Sequence, residues 1–160
     1  MPSVLFICTG NLYRSPIAAA AFLRRLEQEG LSERWVVSSA GTWTRTGLPA
    51  HPEALLAAKD LGLDLSGHRS RVVDAEVLAG NDLIVVMEQG HKEALVNEFP
   101  AVRGKIHLLS ELAEQLPYDI ADPVNMDVDG RMVAGQVCEL VEQGYTEISR
   151  LAKSRRGHKS

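Results

Sequence analysis

Val4-Leu5-Phe6-Ile7-Cys8-Thr9-Gly10-Asn11-Leu12-Tyr13-Arg14-Ser15-Pro16 is the stretch on which the reading of this chain turns. An apolar run ends at Cys8, Arg14 follows after a short loop, and Pro16 opens an alanine-rich helical segment. A short continuous apolar run bounded by turn residues fits a strand buried on both faces. A loop between such a strand and a helix start turns successive N–H groups inward as an anion nest, and the helix adds its positive dipole end. Gly10 and Asn11 are residue types that tolerate the left-handed backbone such a loop needs. Arg14 offers a planar fork for two phosphate oxygens and can follow them as they become equatorial. The same positive surroundings favour the thiolate of Cys8, the nucleophilic form. Ser15 is placed to hydrogen-bond Cys8 and steady the thiolate as it leaves an intermediate. The expected phosphate-binding set is therefore Thr9, Gly10, Asn11, Leu12, Tyr13 and Ser15, around Cys8 and Arg14. With two cysteines and twelve arginines in the chain, the Cys8-to-Arg14 spacing by itself is a weak signal. The plain alternative is a strand-end cysteine with an unrelated surface arginine. The strand before, Gly10 and Asn11 within, and the helix start after are what give the spacing meaning.

Working outward, short apolar runs alternate with helical patterns. Strands are expected at Val4–Ile7, Trp35–Ser39, Asp82–Met87 and Lys105–Leu109. Helices are expected at Pro16–Glu29, His51–Leu61 and Gly90–Phe99, with Pro16 at the first helical position and Gly30 ending the first helix. A last helix carries Val133, Val137, Leu140, Val141, Ile148 and Leu151 on one face. Strands buried on both sides and separated by helices argue for an α/β fold, a parallel sheet with helices on both faces. Ligands of such sheets bind beyond the carboxyl ends of the strands, where Cys8 lies.

The length of 160 residues fits a single domain, taken as residues 1–153, with a basic tail at 154–160 expected to be disordered. Hydrophobic residues make up 45% and charged residues 24%, and the net charge of −4 gives no overall basic field for nucleic acid. No stretch approaches the ~18 apolar residues of a membrane span, and no signal sequence opens the chain. A cytoplasmic protein without nucleic-acid or membrane partners is the expectation. Cys8 and Cys138, the only cysteines, give neither a disulfide framework nor a zinc spacing, so no metal or cofactor is expected.

A thiolate attacking a phosphate ester needs an acid for the leaving oxygen. Asp122, in Tyr118-Asp119-Ile120-Ala121-Asp122-Pro123, is held out of helical geometry by Pro123. From this segment alone the acid and an ordinary Asp-Pro turn are equally good readings, and Asp119, Asp127 and Asp129 compete on the same loop.

Cys8 to Pro16 closely resembles the signature of the low-molecular-weight protein tyrosine phosphatases. Ser38-Ser39-Ala40-Gly41, Ser66 to Arg71, Asp82 to Glu88 and Asp122-Pro123 follow in that family's order, across essentially the whole chain. The resemblance implies a four-stranded parallel sheet and a metal-free phosphomonoesterase. It implies that Cys8 is the nucleophile, Arg14 the phosphate clamp and Asp122 the acid and base. Asn11, Ser39 and His68 would support the loop, and the partner would be a phosphotyrosine protein. Bacterial relatives often act on tyrosine kinases, which makes such a kinase the implied substrate by analogy.

Four positions depart from the pattern. Tyr13 stands where many members carry a second cysteine. Val124-Asn125 follows Asp-Pro where aromatic residues usually line the pocket rim, so Trp43 or Tyr13 would have to supply an aromatic face; for Trp43 the plain alternative is a partly buried loop anchor. Ala19 replaces a common glutamate. Leu12 is the aliphatic type found in the tyrosine phosphatases, whereas the protein-arginine phosphatase branch has threonine there. That branch is the alternative function. A thiol-dependent arsenate reductase and a non-catalytic phosphate-binding module are remoter ones, since Cys138 alone is a poor disulfide relay and Cys8, Arg14 and Asp122 are all present.

Overall fold

The computed structural model describes residues 1–157. Its strands are β1 (Ser3–Cys8), β2 (Val36–Gly41), β3 (Leu83–Val86) and β4 (Ile106–Leu108). They form a four-stranded sheet in the order β2-β1-β3-β4, and every pair is parallel. The helices are α1 (Arg14–Gln28), α2 (Pro52–Asp60), α3 (Ala75–Ala79), α4 (Gln89–Glu98), α5 (Leu109–Glu114) and α6 (Gly130–Gly157).

Every residue of β1 is buried, as its unbroken apolar run requires of a central strand. Alternation then sorts its side chains. Val4, Phe6 and Cys8 face the layer of α1 and α6, while Leu5 and Ile7 meet Leu78 of α3 and Leu95 of α4. Phe22 of α1 ties the first layer together. Its ring lies 5.9 Å from Phe6, 5.4 Å from Trp35 and 5.2 Å from Tyr145 of α6. Each such pair adds about 1 kcal/mol beyond its buried area.

The order places β1 between β2 and β3, so the chain leaves β1 toward one side of the sheet and later returns on the other. A crevice opens at the carboxyl end of β1, where that reversal occurs. Gly41 closes its β2 side: a Cβ there would meet the Thr9 carbonyl at 2.6 Å. That close approach lets Thr42 N–H reach Cys8 O and Trp43 N–H reach Thr9 O, both at 3.0 Å.

Some boundaries differ from the expectations. α1 begins at Arg14, so Pro16 sits in the first turn rather than at its first position; N–H groups of that turn have no intrahelical acceptor to lose. Gly30 does end α1, in a left-handed conformation (φ 70°) with Leu31 N–H on Leu26 O at 2.8 Å. β2 runs on to Gly41, past the expected end at Ser39. α3 and α5 are too short for helical periodicity to reveal them; Asp74 caps α3 by accepting from Val77 N–H at 2.7 Å. α6 continues through Gly157, so residues 154–157 of the expected disordered tail are helical, while 158–160 lie outside the described residues. Cys138 is buried on α6, in the core as its position on the apolar helix suggests.

Candidate active site

Asn11 organises the loop between β1 and α1. It is fully buried and takes up a left-handed backbone, with φ of 57°. Its side-chain amide donates to Ser15 Oγ at 2.8 Å and to Ser39 Oγ at 2.9 Å, and its Oδ1 accepts from Arg71 N–H at 2.9 Å. Its carbonyl can only accept, so His68 Nε2, at 2.7 Å, is the donor. Cys8 Sγ lies 3.0 Å from Ser15 Oγ. Ser15 Oγ accepts from Asn11 and lies 3.5 Å from the Ala40 carbonyl, which holds the hydroxyl beside the sulfur. The residues expected to support the loop, Asn11, Ser39 and His68, thus converge on it.

An Asn11→Ala protein loses three side-chain hydrogen bonds, strands the Arg71 N–H and keeps a non-glycine residue at positive φ. The expected cost is about 2–4 kcal/mol of stability by denaturant unfolding. A loss below about 0.5 kcal/mol would mean that the loop does not depend on this residue.

Arg14 is 1% exposed and turned into the crevice. Its Nη1 donates to Glu88 Oε2 and to the Ile120 carbonyl, both at 2.6 Å, and its Nη2 lies 3.4 Å from Thr9 Oγ1. One edge of the guanidinium is thereby anchored, which fixes the plane that a bound oxyanion meets. Burial pushes the His91 imidazole down to about 4, so the ring is neutral at pH 7. Its Nδ1 accepts from Glu88 N–H at 3.1 Å, which leaves Nε2–H to donate to Thr9 Oγ1 at 2.9 Å. Thr9 keeps its own proton for the pocket that it lines. Sequence reasoning missed Glu88, His91 and the Ile120 carbonyl. The available signal was that Glu88 follows closely on the carboxyl end of an apolar strand.

Asp122 is 9% exposed, with Oδ2 at 3.5 Å from Arg14 Nη2. Asn125 Nδ2 donates to that oxygen at 2.7 Å, and Val124 N–H donates to Oδ1 at 2.9 Å. Val124 and Asn125 line the pocket as the sequence suggested, and Asn125 in addition orients the carboxylate. Asp119 is engaged elsewhere, accepting from Gln89 N–H at 2.8 Å.

The pocket holds about 400 Å³ between the phosphate loop, Trp43 and Arg45 on one wall, and Asp122 to Asn125 on the other. Trp43 is 84% exposed, so it is no partly buried anchor; it stands free at the rim. Tyr13 corrects an expectation. Tyr13 is among the residues that line the pocket, but it is 2% exposed and its ring leans toward His51, 6.1 Å away, so it offers no exposed face at the rim. The Tyr13 hydroxyl is buried without a hydrogen-bond partner among the described residues. A Cβ at position 130 would lie 2.3 Å from it, so Gly130 makes room for this ring.

Chemically, the arrangement gathers a thiol with a hydroxyl beside it, a buried guanidinium and a carboxylate around one pocket. The family model described as low molecular weight phosphotyrosine protein phosphatase matches residues 3–156. A probable low molecular weight protein-tyrosine-phosphatase, EpsP, of Ralstonia nicotianae is 36% identical over 121 residues, 76% of this chain and 77% of its own. A protein-arginine-phosphatase of Geobacillus stearothermophilus is 32% identical over 150 residues, 94% of this chain and 93% of its own. The crystal structure of a low molecular weight protein tyrosine phosphatase from T. tengcongensis superposes with a TM-score of 0.83 at 33% identity, covering 92% of this chain and 99% of that one.

Proposed function

The chain belongs to the low molecular weight phosphotyrosine protein phosphatase family, and on that premise we propose that it hydrolyses phosphotyrosine in proteins through a cysteinyl-phosphate intermediate. The observation that carries this is the convergence of Cys8, Arg14 and Asp122 on one pocket. The Cys8 thiolate attacks phosphorus while the P–O bond to the tyrosine breaks. Asp122 gives its proton to the departing oxygen and later takes one from the attacking water. Arg14 and the loop N–H groups hold the equatorial oxygens through both steps. When the P–S bond breaks, the Ser15 hydroxyl receives the thiolate.

Leu12 and exposed Trp43 favour an aromatic leaving group over a guanidino one. Both face the pocket, and neither offers a charge to a phosphoarginine side chain. The test compares kcat/KM on matched phosphotyrosine and phosphoarginine peptides. Preference for phosphotyrosine by tenfold or more is expected from one well-packed ring (roughly 1–2 kcal/mol). Equal or reversed preference would move the protein to the protein-arginine phosphatase reading. A tyrosine kinase carrying phosphotyrosine on its own chain is a substrate of the proposed type. We place its work in the cytoplasm, where a free nucleophilic thiol stays reduced.

Oxidation should be hard to reverse. Cys8 and Cys138 are both free, and burial pushes the Cys138 thiol up, away from the thiolate that would resolve a sulfenic acid. Brief peroxide treatment is expected to abolish activity in a way that thiol reductant does not reverse, with sulfinic acid at Cys8 by mass spectrometry. Full recovery with reductant would contradict this.

A further inference from the structure

A second cleft, also of about 400 Å³, lies on the other side of Asn11 from the pocket, between the start of α1, β2 and the turn after Leu65. Its polar lining is Ser38, Ser39, His68, Arg69 and Arg71, and the short Ala19 side chain leaves it open. No carboxylate lines it. Arg69 and Arg71 make no ion pair among the described residues.

Apart from His68 Nδ1, an acceptor once Nε2 carries the ring proton, the side-chain groups of the lining offer donors. Ser39 Oγ accepts from Asn11, so its proton points elsewhere. His68 Nε2–H is committed to the Asn11 carbonyl, and its Nδ1 faces no carboxylate; the charge that most affects it is the Arg69 cation. Arg69 uses one N–H on the His68 carbonyl at 2.7 Å and keeps the rest. Two guanidinium groups and hydroxyl donors around a concave space, without a resident anion partner, match a tetrahedral oxyanion.

We infer that this cleft is a binding site for a small tetrahedral oxyanion of the phosphate or sulfate class, separate from the phosphate loop. Inorganic phosphate, the product of the proposed reaction, is of this class; the inference itself rests on the cleft and not on that reaction. The site shares Asn11 with the phosphate loop, through the His68 ring on one side and the Arg71 N–H on the other.

Sulfate, which is not turned over, is the probe. In a titration followed by amide NMR of the full chain, the amides of Ser38, Ser39 and Arg69 to Arg71 are expected to saturate with one constant and those of Gly10 to Ser15 with another. Arg71→Gln keeps the backbone N–H that Asn11 uses and removes the charge. It should weaken the cleft constant about tenfold while the phosphate-loop constant holds. Ala19→Glu places a carboxylate in the cleft wall and should abolish the cleft response, with the far-ultraviolet circular dichroism unchanged. A single shared constant, no response in the cleft, or a cleft constant indifferent to both substitutions would overturn the proposal.

Discussion

Replacing Cys8 by serine is expected to lower kcat on a phosphotyrosine peptide by at least about 10⁴-fold while leaving phosphate affinity within a few-fold of wild type. The two readings separate because the sulfur and the nest do different work. Attack on phosphorus needs the thiolate, and a serine hydroxyl stays protonated at neutral pH. In the proposed mechanism binding rests on loop N–H groups and on Arg14, whose anchors at Glu88 and Ile120 do not involve residue 8. Serine at position 8 also keeps a hydrogen-bonding group beside Ser15, so the Asn11-centred bonds persist. Steady-state kinetics together with calorimetric phosphate titration would check both halves. Turnover retained within tenfold would remove Cys8 from the chemistry. Loss of phosphate binding would mean instead that the loop had collapsed.

Asp122→Ala should cost about 10²- to 10⁴-fold in turnover of a phosphotyrosine peptide. The size should depend on the leaving group. An activated aryl phosphate departs without a proton, so formation of the cysteinyl-phosphate stays fast. Its hydrolysis still lacks a base. The variant is therefore expected to release a burst of phenol matching the enzyme concentration, followed by slow turnover. Peptide substrates, whose phenol is a poorer leaving group, should give a slow first step and no burst. Stopped-flow measurement on both substrates distinguishes these steps. Unchanged rates on every substrate would return the role to another group. Asp129 is a poor replacement, because its Oδ1 already accepts from Arg131 N–H at 2.9 Å.

The sequence made the strand-loop-helix unit legible because its signals are local. β1 is one apolar run, and the loop types follow from backbone sterics at Gly10 and Asn11. The sheet was legible for the same reason, each strand being a short local run, with the central β1 and β3 buried on both faces. The second layer of the site was not. Glu88 and His91 reach Arg14 and Thr9 from the start of α4, just after β3, a meeting made by a sheet pairing distant in sequence. Asn125 was read as part of a wall, and its bond to Asp122 depends on a turn whose geometry no residue type specifies. Tyr13 failed in the opposite way. An aromatic residue in a phosphate loop suggests a rim, and only the space left at Gly130 explains why the ring goes inward.

That packing gives two distant positions a joint history. Residues 13 and 130 share one volume, so what one holds limits what the other accepts. A thiol at 13 would leave a void beneath the loop unless 130 grew to fill it, and any side chain at 130 would push the phenol outward against the nest. An engineer wishing to add a protective cysteine here, or a lineage drifting toward one, has to change both positions together, because each half-step passes through a loosened or overfilled loop.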